Sequence, residues 1–271
     1  MKRILLLLLL PATRYAAAQE PGSPALVPDQ LKSYSRRQVS ALAFWGNAAG
    51  LAGQAGWSAG LISERRFLLK ELSRTYLSLA GPLGKGQLAL AGSYGGAPDY
   101  HTGSFGLGYA LALGEVVRAA VQFQYVNQHI SGSESPSAVT AGAGLQFQLT
   151  DKVQAGLAVH NIRSRETGPE TLPLPFTYEA GWGADISEQL YLGAFLQKAA
   201  GEPVSVHVGA DYRLLPEVGL VLGISSASDS YYFGGHYQFK TFRLQLAASV
   251  HPKLGITPAL TLIYQRKPTD D

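Results

Sequence analysis

The residues able to do chemistry in this chain are few and scattered. Six charged side chains, Arg118, Glu179, Asp185, Asp211, Arg213 and Arg243, stand inside stretches that are otherwise apolar or small, and an ionised group in such a setting needs a partner or water. Three histidines, His160, His207 and His236, stand in similar stretches, but no histidine pair has a metal-ligand spacing such as i, i+2 on a strand, so the pattern specifies neither a metal nor a cofactor. Ser58, Ser93, Ser205 and Ser249 occur singly, with no Gly-x-Ser-x-Gly elbow to expose a nucleophile. Cysteine is absent, which removes thiol nucleophiles, thiolate metal sites and disulfides. The reading is therefore non-enzymatic. The tightest polar set is His207, Asp211 and Arg213, whose even spacing places them on one face of one strand.

What must position these groups is a series of strands. In Val117 to Tyr125, Val117, Ala119, Val121, Phe123 and Tyr125 share one face, and Arg118, Ala120, Gln122 and Gln124 share the other. The same alternation marks 57–63, 73–81, 87–95, 103–112, 116–126, 138–149, 153–162, 175–186, 190–199, 204–213, 218–226, 231–239, 242–251 and 257–266. Fourteen is an even number, as a single-chain barrel with both termini on one side requires. Connections after even-numbered stretches are short turns, whereas those at 64–72, 127–137 and 163–174 are longer and polar, the asymmetry of periplasmic turns and extracellular loops.

The composition of the two faces separates a membrane barrel from a soluble β-sandwich. The second face is largely Gly, Ala, Ser and Gln, as in Gly106, Gly108, Ala110 and Ala112 opposite Phe105, Leu107, Tyr109 and Leu111, which suits a crowded barrel interior better than a solvated sandwich surface. Aromatic residues gather at stretch ends, at Trp57, Tyr94, Tyr125, Phe176, Tyr178, Tyr231 and Tyr264, where interfacial girdles lie. Only 15% of the residues are charged, well below the roughly 25% of a soluble domain. Yet beyond residue 18 no apolar run approaches the ~20 residues of a membrane helix. The expected fold is an all-β, transmembrane antiparallel β-barrel in contact with outer-membrane lipid.

The formal charge of +3 sits in the first eighteen residues, where Lys2, Arg3 and Arg14 have no acidic counterpart. Lys2 and Arg3, the apolar run Ile4 to Leu10 and Ala16-Ala17-Ala18 before Gln19 form a cleavable secretory signal, expected to direct export to the bacterial outer membrane. The remaining chain is formally neutral, which excludes nucleic acid as a partner, since phosphate binding needs a basic face. The expected organisation is a signal peptide over 1–18, a plug segment over 19–54, the barrel over 55–266 and a tail over 267–271.

Before the first stretch lies Asn47-Ala48-Ala49-Gly50-Leu51, which resembles the Asn-Pro-Ala-Gly-Leu element of the FadL-like outer-membrane barrels, including the PorV and PorQ branch associated with type IX secretion in Bacteroidota. Ala48 stands where that family usually has proline, so the fixed φ of proline is missing. The likeness covers the N-terminal ~55 mature residues; beyond them only a strand rhythm is shared. It implies a fourteen-stranded barrel whose N-terminal segment folds into the lumen, with Asn47 to Leu51 as the plug motif.

In such a lumen Arg118, Glu179, Asp185, His207, Asp211, Arg213 and Arg243 are expected to form a polar network, chiefly salt bridges that stiffen a narrow, closed interior. The function expected first is a non-enzymatic accessory or scaffold subunit of an outer-membrane complex of the type IX secretion or barrel-assembly kind, with other outer-membrane or periplasmic proteins as partners. The alternative is a FadL-like conduit for small hydrophobic solutes. The loops show no large apolar capture surface in the sequence, which ranks the scaffold above the conduit.

Overall fold

The computed structural model describes residues 34–35, 40–162, 164–166, 172, 174–226 and 230–266; the expected signal peptide and C-terminal tail lie outside them. The strands are β1 Ser58–Arg65, β2 Ser73–Leu83, β3 Gly86–Ala97, β4 Tyr100–Leu113, β5 Val117–Ile130, β6 Ser137–Gln148, β7 Val153–His160, β8 Ser164–Glu166, β9 Thr177–Asp185, β10 Leu190–Ala199, β11 Ser205–Arg213, β12 Val218–Ser225, β13 Ser230–Phe239, β14 Phe242–His251 and β15 Gly255–Gln265. Every pairing is antiparallel, and β1 pairs with both β2 and β15, so the sheet closes. β7 and β8 both pair with β6 and occupy one wall position, so the fifteen segments make a fourteen-position barrel. Apart from the short β8, whose one pairing among the described residues is with β6, each strand is paired on both edges, which is what hydrocarbon demands of a backbone.

The seventh expected stretch, 153–162, ends two residues early at His160, and the extra strand β8 falls within the loop expected at 163–174. Asn161 takes a left-handed φ of 55°, ending β7. Its side chain then replaces ladder hydrogen bonds, accepting from Thr140 Oγ1 at 3.0 Å and donating to Pro175 O at 3.0 Å. Asparagine tolerates this backbone region better than most residues because its short amide bonds locally.

Alternation along each strand divides the wall into two surfaces. Outward lie Leu77, Leu79, Leu107, Val121, Phe123, Leu157, Val206, Val208, Leu222 and Leu246, all exposed. Exposed tyrosine and tryptophan rings flank this belt. Tyr94, Tyr100, Tyr178 and Tyr231 lie toward the loop end, and Trp57, Tyr212 and Tyr237 toward the end where β1 begins and β15 ends. A continuous apolar belt with aromatic rims is the outer surface of a barrel solvated by lipid.

Inward, the lumen of the β1–β5 wall is filled by the chain's own N-terminal segment. Two 3-10 turns, Ala41–Trp45 and Ala48–Gly53, bury Leu42, Phe44, Trp45 and Leu51 against Ile62, Tyr76, Ala80, Ala89, Ala91, Ala110, Ala120 and Ile263 of the wall. At about 1.5–3 kcal/mol for each large apolar side chain removed from water, this contact is a principal source of the plug's attachment.

Candidate functional site

The plug is seated by close approach as well as by burial. Phe44 lies on the inner surface of β4, where an ideal Cβ at Gly106 would come 2.5 Å from its ring and one at Gly108 would come 3.1 Å. Glycine is therefore required there for clearance. Asn47 lies on β6 and β7 in the same way: a Cβ at Gly156 would stand 2.8 Å from its Nδ2, and one at Gly144 would collide with its Oδ1. The Asn47 amide donates to Leu145 O at 2.9 Å and to Leu157 O at 3.2 Å, and its Oδ1 accepts from Ala49 N at 3.0 Å. One side chain thus clamps two adjacent strands and caps the next plug turn. Ala48, Ala49, Gly50 and Leu51 follow as that buried turn. Ser58 Oγ of β1 accepts from Ala41 N at 2.9 Å and donates to Gln54 Oε1 at 2.7 Å, and Gln87 of β3 donates to Gln54 O at 3.1 Å.

The charged residues anticipated from alternation divide among separate places. Arg118 belongs to the plug contact, its guanidinium 2.5 Å from a Cβ built at Gly53. Glu179 of β9 accepts from Gln197 Nε2 of β10 at 2.9 Å and from the Tyr34 phenol at 3.5 Å, and His160 Nε2 stands 3.9 Å away. Burial first, and the Glu179 carboxylate second, hold the Tyr34 phenol well above its ordinary pKa, so it remains a neutral donor. Asp185 sits at the end of β9, opposite Tyr191 of β10.

Asp211 of β11 reaches across β12. Its Oδ1 accepts from His236 Nε2 of β13 at 3.0 Å, and its Oδ2 accepts from Arg243 of β14 at 3.3 Å. The crossing is open because the His236 ring lies directly over Gly219 of β12. His207, on the same face as Asp211, stacks instead on Phe195 of β10, with ring centres 4.3 Å apart and planes 13° apart, and its Nε2 lies 3.3 Å from Ser205 Oγ. Arg213 is exposed at the strand end, and among the described residues no ion pair reaches it.

Alternation along one strand orders residues within that strand alone, so Tyr34, Gln197 and Gly219 carried no signal as members of these groups. Among the described residues no three His, Asp or Glu side chains converge as a metal site.

At the loop end the segment between β1 and β2 differs from the sequence expectation. Leu68, Leu69 and Leu72 are 57%, 50% and 42% exposed, so one loop does carry an apolar surface. Phe67 and Leu68 hold left-handed φ values of 54° and 61°, unusual for bulky residues. The segment is pinned by the Phe67 amide donating to Thr257 Oγ1 at 3.1 Å. From the far side of the mouth, Leu172 and Leu174 bury against Val126 and Ala138 of the wall.

No protein-family model and no curated protein matches the chain. Solved structures do. The CymD monoaromatic hydrocarbon channel aligns with a TM-score of 0.64 at 13% identity, over 85% of this chain and 94% of that one. The Pseudomonas putida toluene transporter TodX aligns at 0.60 and 11% identity, over 82% and 93%. A Pseudomonas aeruginosa FadL homologue aligns at 0.60 and 12% identity, over 87% and 98%. At these identities the likeness is one of fold: the chain shares the barrel architecture of these three structures.

Proposed function

We propose that this protein is an outer-membrane conduit for small hydrophobic solutes. The observation that carries the reading is the apolar seat of the plug. Where a water-filled porin lines its interior with polar side chains, here a patch of the inner wall formed by Ile62, Tyr76, Ala80, Ala89, Ala91, Ala110 and Ala120 closes onto Leu42, Phe44, Trp45 and Leu51, bordered by polar Ser58, Ser78, Gln87 and Gln122. A path along the edge of that plug suits a solute that gains by leaving water. The exposed Leu68, Leu69 and Leu72 at the mouth and the names of the structural neighbours, a monoaromatic hydrocarbon channel and a toluene transporter, support the same solute class. On this reading residues 1–18 are a cleaved leader, the turn end with both termini faces the periplasm, and Asn47 to Leu51 hold the plug shut against the β6 and β7 wall.

This reading replaces the scaffold as the first choice. A type IX secretion scaffold of the PorV and PorQ kind rests on the resemblance centred on residues 47–51 and on loops that show no apolar capture surface in the sequence, and the exposed Leu68, Leu69 and Leu72 remove the second ground. Uptake of labelled toluene by cells or proteoliposomes carrying the protein tests the conduit: flux above that of empty membranes is expected, and flux equal to it overturns the reading. Native co-purification of a stoichiometric outer-membrane partner, with no solute flux, restores the scaffold.

A further inference from the structure

The loop-end rim of β4 and β5 carries two imidazoles that no spacing in the chain announces. His101, the second residue of β4, stands directly opposite His129, the penultimate residue of β5. Directly paired residues of an antiparallel ladder project to the same face. Both are odd-numbered positions on strands whose odd positions Phe105, Val121, Phe123 and Tyr125 are outward and exposed. The pair is therefore on the outer rim, away from the plug and the solute path. Its ring centres are 4.8 Å apart with planes at 33°. With metal–nitrogen bonds of about 2.0–2.1 Å, two imidazoles sharing one ion at right or tetrahedral angles place their ring centres about 4.5–5.2 Å apart.

The surroundings of each ring point the same way. His129 Nδ1 lies 3.1 Å from Ser135 Oγ; in the tautomer whose Nδ1–H donates to that hydroxyl, Nε2 keeps its lone pair, as in ligating histidines. His101 Nδ1 is buried with no hydrogen-bond partner in the protein, and a buried ring nitrogen of this kind calls for an ion or a bridging water. Tyr94 packs on the other face of His101, ring centres 5.2 Å apart, which limits its rotation. The adjoining turns carry Asp99 and Glu134, and no lysine or arginine occurs in 94–104 or 125–137. Asp99 O accepts from Ser131 N at 2.8 Å, which ties the two turns together beside the pair. The two turns are thus acidic, and the nearby Arg74 of β2 lies opposite Gly95 on the inner face, the other side of the wall from the pair.

We propose that His101 and His129 form a surface site for a borderline divalent transition-metal ion, of the zinc, copper or nickel class, with water filling the remaining positions. Oxygen-preferring ions such as calcium and magnesium have too few ligands here. A bound ion would staple the loop end of β4 to that of β5.

The test is calorimetric titration of the untagged, full-length protein, refolded in mild detergent, with copper, zinc and nickel salts. One ion per chain is expected, with at least tenfold weaker binding in His101→Ala and in His129→Ala and a smaller loss in Ser135→Ala. His251→Ala serves as the control, since His251 is another loop-end histidine whose Nδ1 accepts from Lys253 N and Leu254 N; its binding is expected to be unchanged. Heat-modifiable gel mobility confirms that each variant is folded. Absence of binding, binding that survives in the double His101→Ala, His129→Ala variant, or binding abolished by His251→Ala overturns the proposal.

Discussion

The β1–β5 side of the lumen and the β9–β14 side solve the same problem, filling a narrow interior, by opposite means. The first uses small residues and an apolar plug: Ala89, Ala91, Ala110 and Ala120 admit Leu42, Phe44 and Trp45. The second uses polar side chains that bridge strands, Glu179 with Gln197 and Asp211 with His236 and Arg243. The contrast shows how adhesion and rigidity can be separated. Apolar contact is non-directional and would let a segment shift, as the proposed conduit requires. Charge-assisted hydrogen bonds are directional and fix the strands they join.

Replacement of Phe44 tests this contrast with the largest expected effect. Phe44→Ala leaves a void above Gly106 and Gly108 and should cost about 3–5 kcal/mol, read as a lower urea midpoint of refolded barrel, together with faster toluene flux. A variant that lost stability without gaining flux would show the plug to be purely structural. Next comes Asp211→Asn, which leaves Arg243 partly buried without its counter-charge. A loss of about 1–3 kcal/mol is expected, without any gain in flux, because this wall is not the seat of the plug. Gain of flux there would break the division between the two walls.

Asn47→Ala removes both hydrogen bonds to the β6 and β7 carbonyls, at a cost of about 1–2 kcal/mol. Its signature should be earlier proteolysis of the N-terminal segment while the barrel stays folded, measured by mass spectrometry of limited digests. Tyr34→Phe is expected to give the smallest change. Glu179 keeps its Gln197 donor at 2.9 Å, and the lost phenol bond is long at 3.5 Å, so a shift under about 1 kcal/mol in the same urea assay would confirm that packing holds Tyr34.

Much of the architecture was readable from alternation. Phe105, Leu107 and Val121 faced outward and Gly106, Gly108 and Ala120 inward as the pattern required, because side chains two apart on a strand share a face whatever the strand pairs with. The break at Asn161 was not readable, since Asn161 and Ile162 continue the stretch without a glycine or proline between them. The apolar loop was partly readable: Phe67, Leu68, Leu69 and Leu72 are visible as residues, but their exposure depends on left-handed turns that bulky side chains seldom take.

The sequence by itself determined a closed barrel with a lipid-facing surface, a crowded inner surface and an N-terminal segment available to fill it. These follow from local periodicity and composition. Only the tertiary structure decided which inward residues meet, because cross-strand register and the seat of the plug are long-range. Asp211 shares a strand with His207 and Arg213, yet it bonds to His236 and Arg243, which lie 25 and 32 residues away along the chain. His101 and His129 become neighbours for the same reason, through a register that joins the ends of two strands and leaves no trace in the spacing between them.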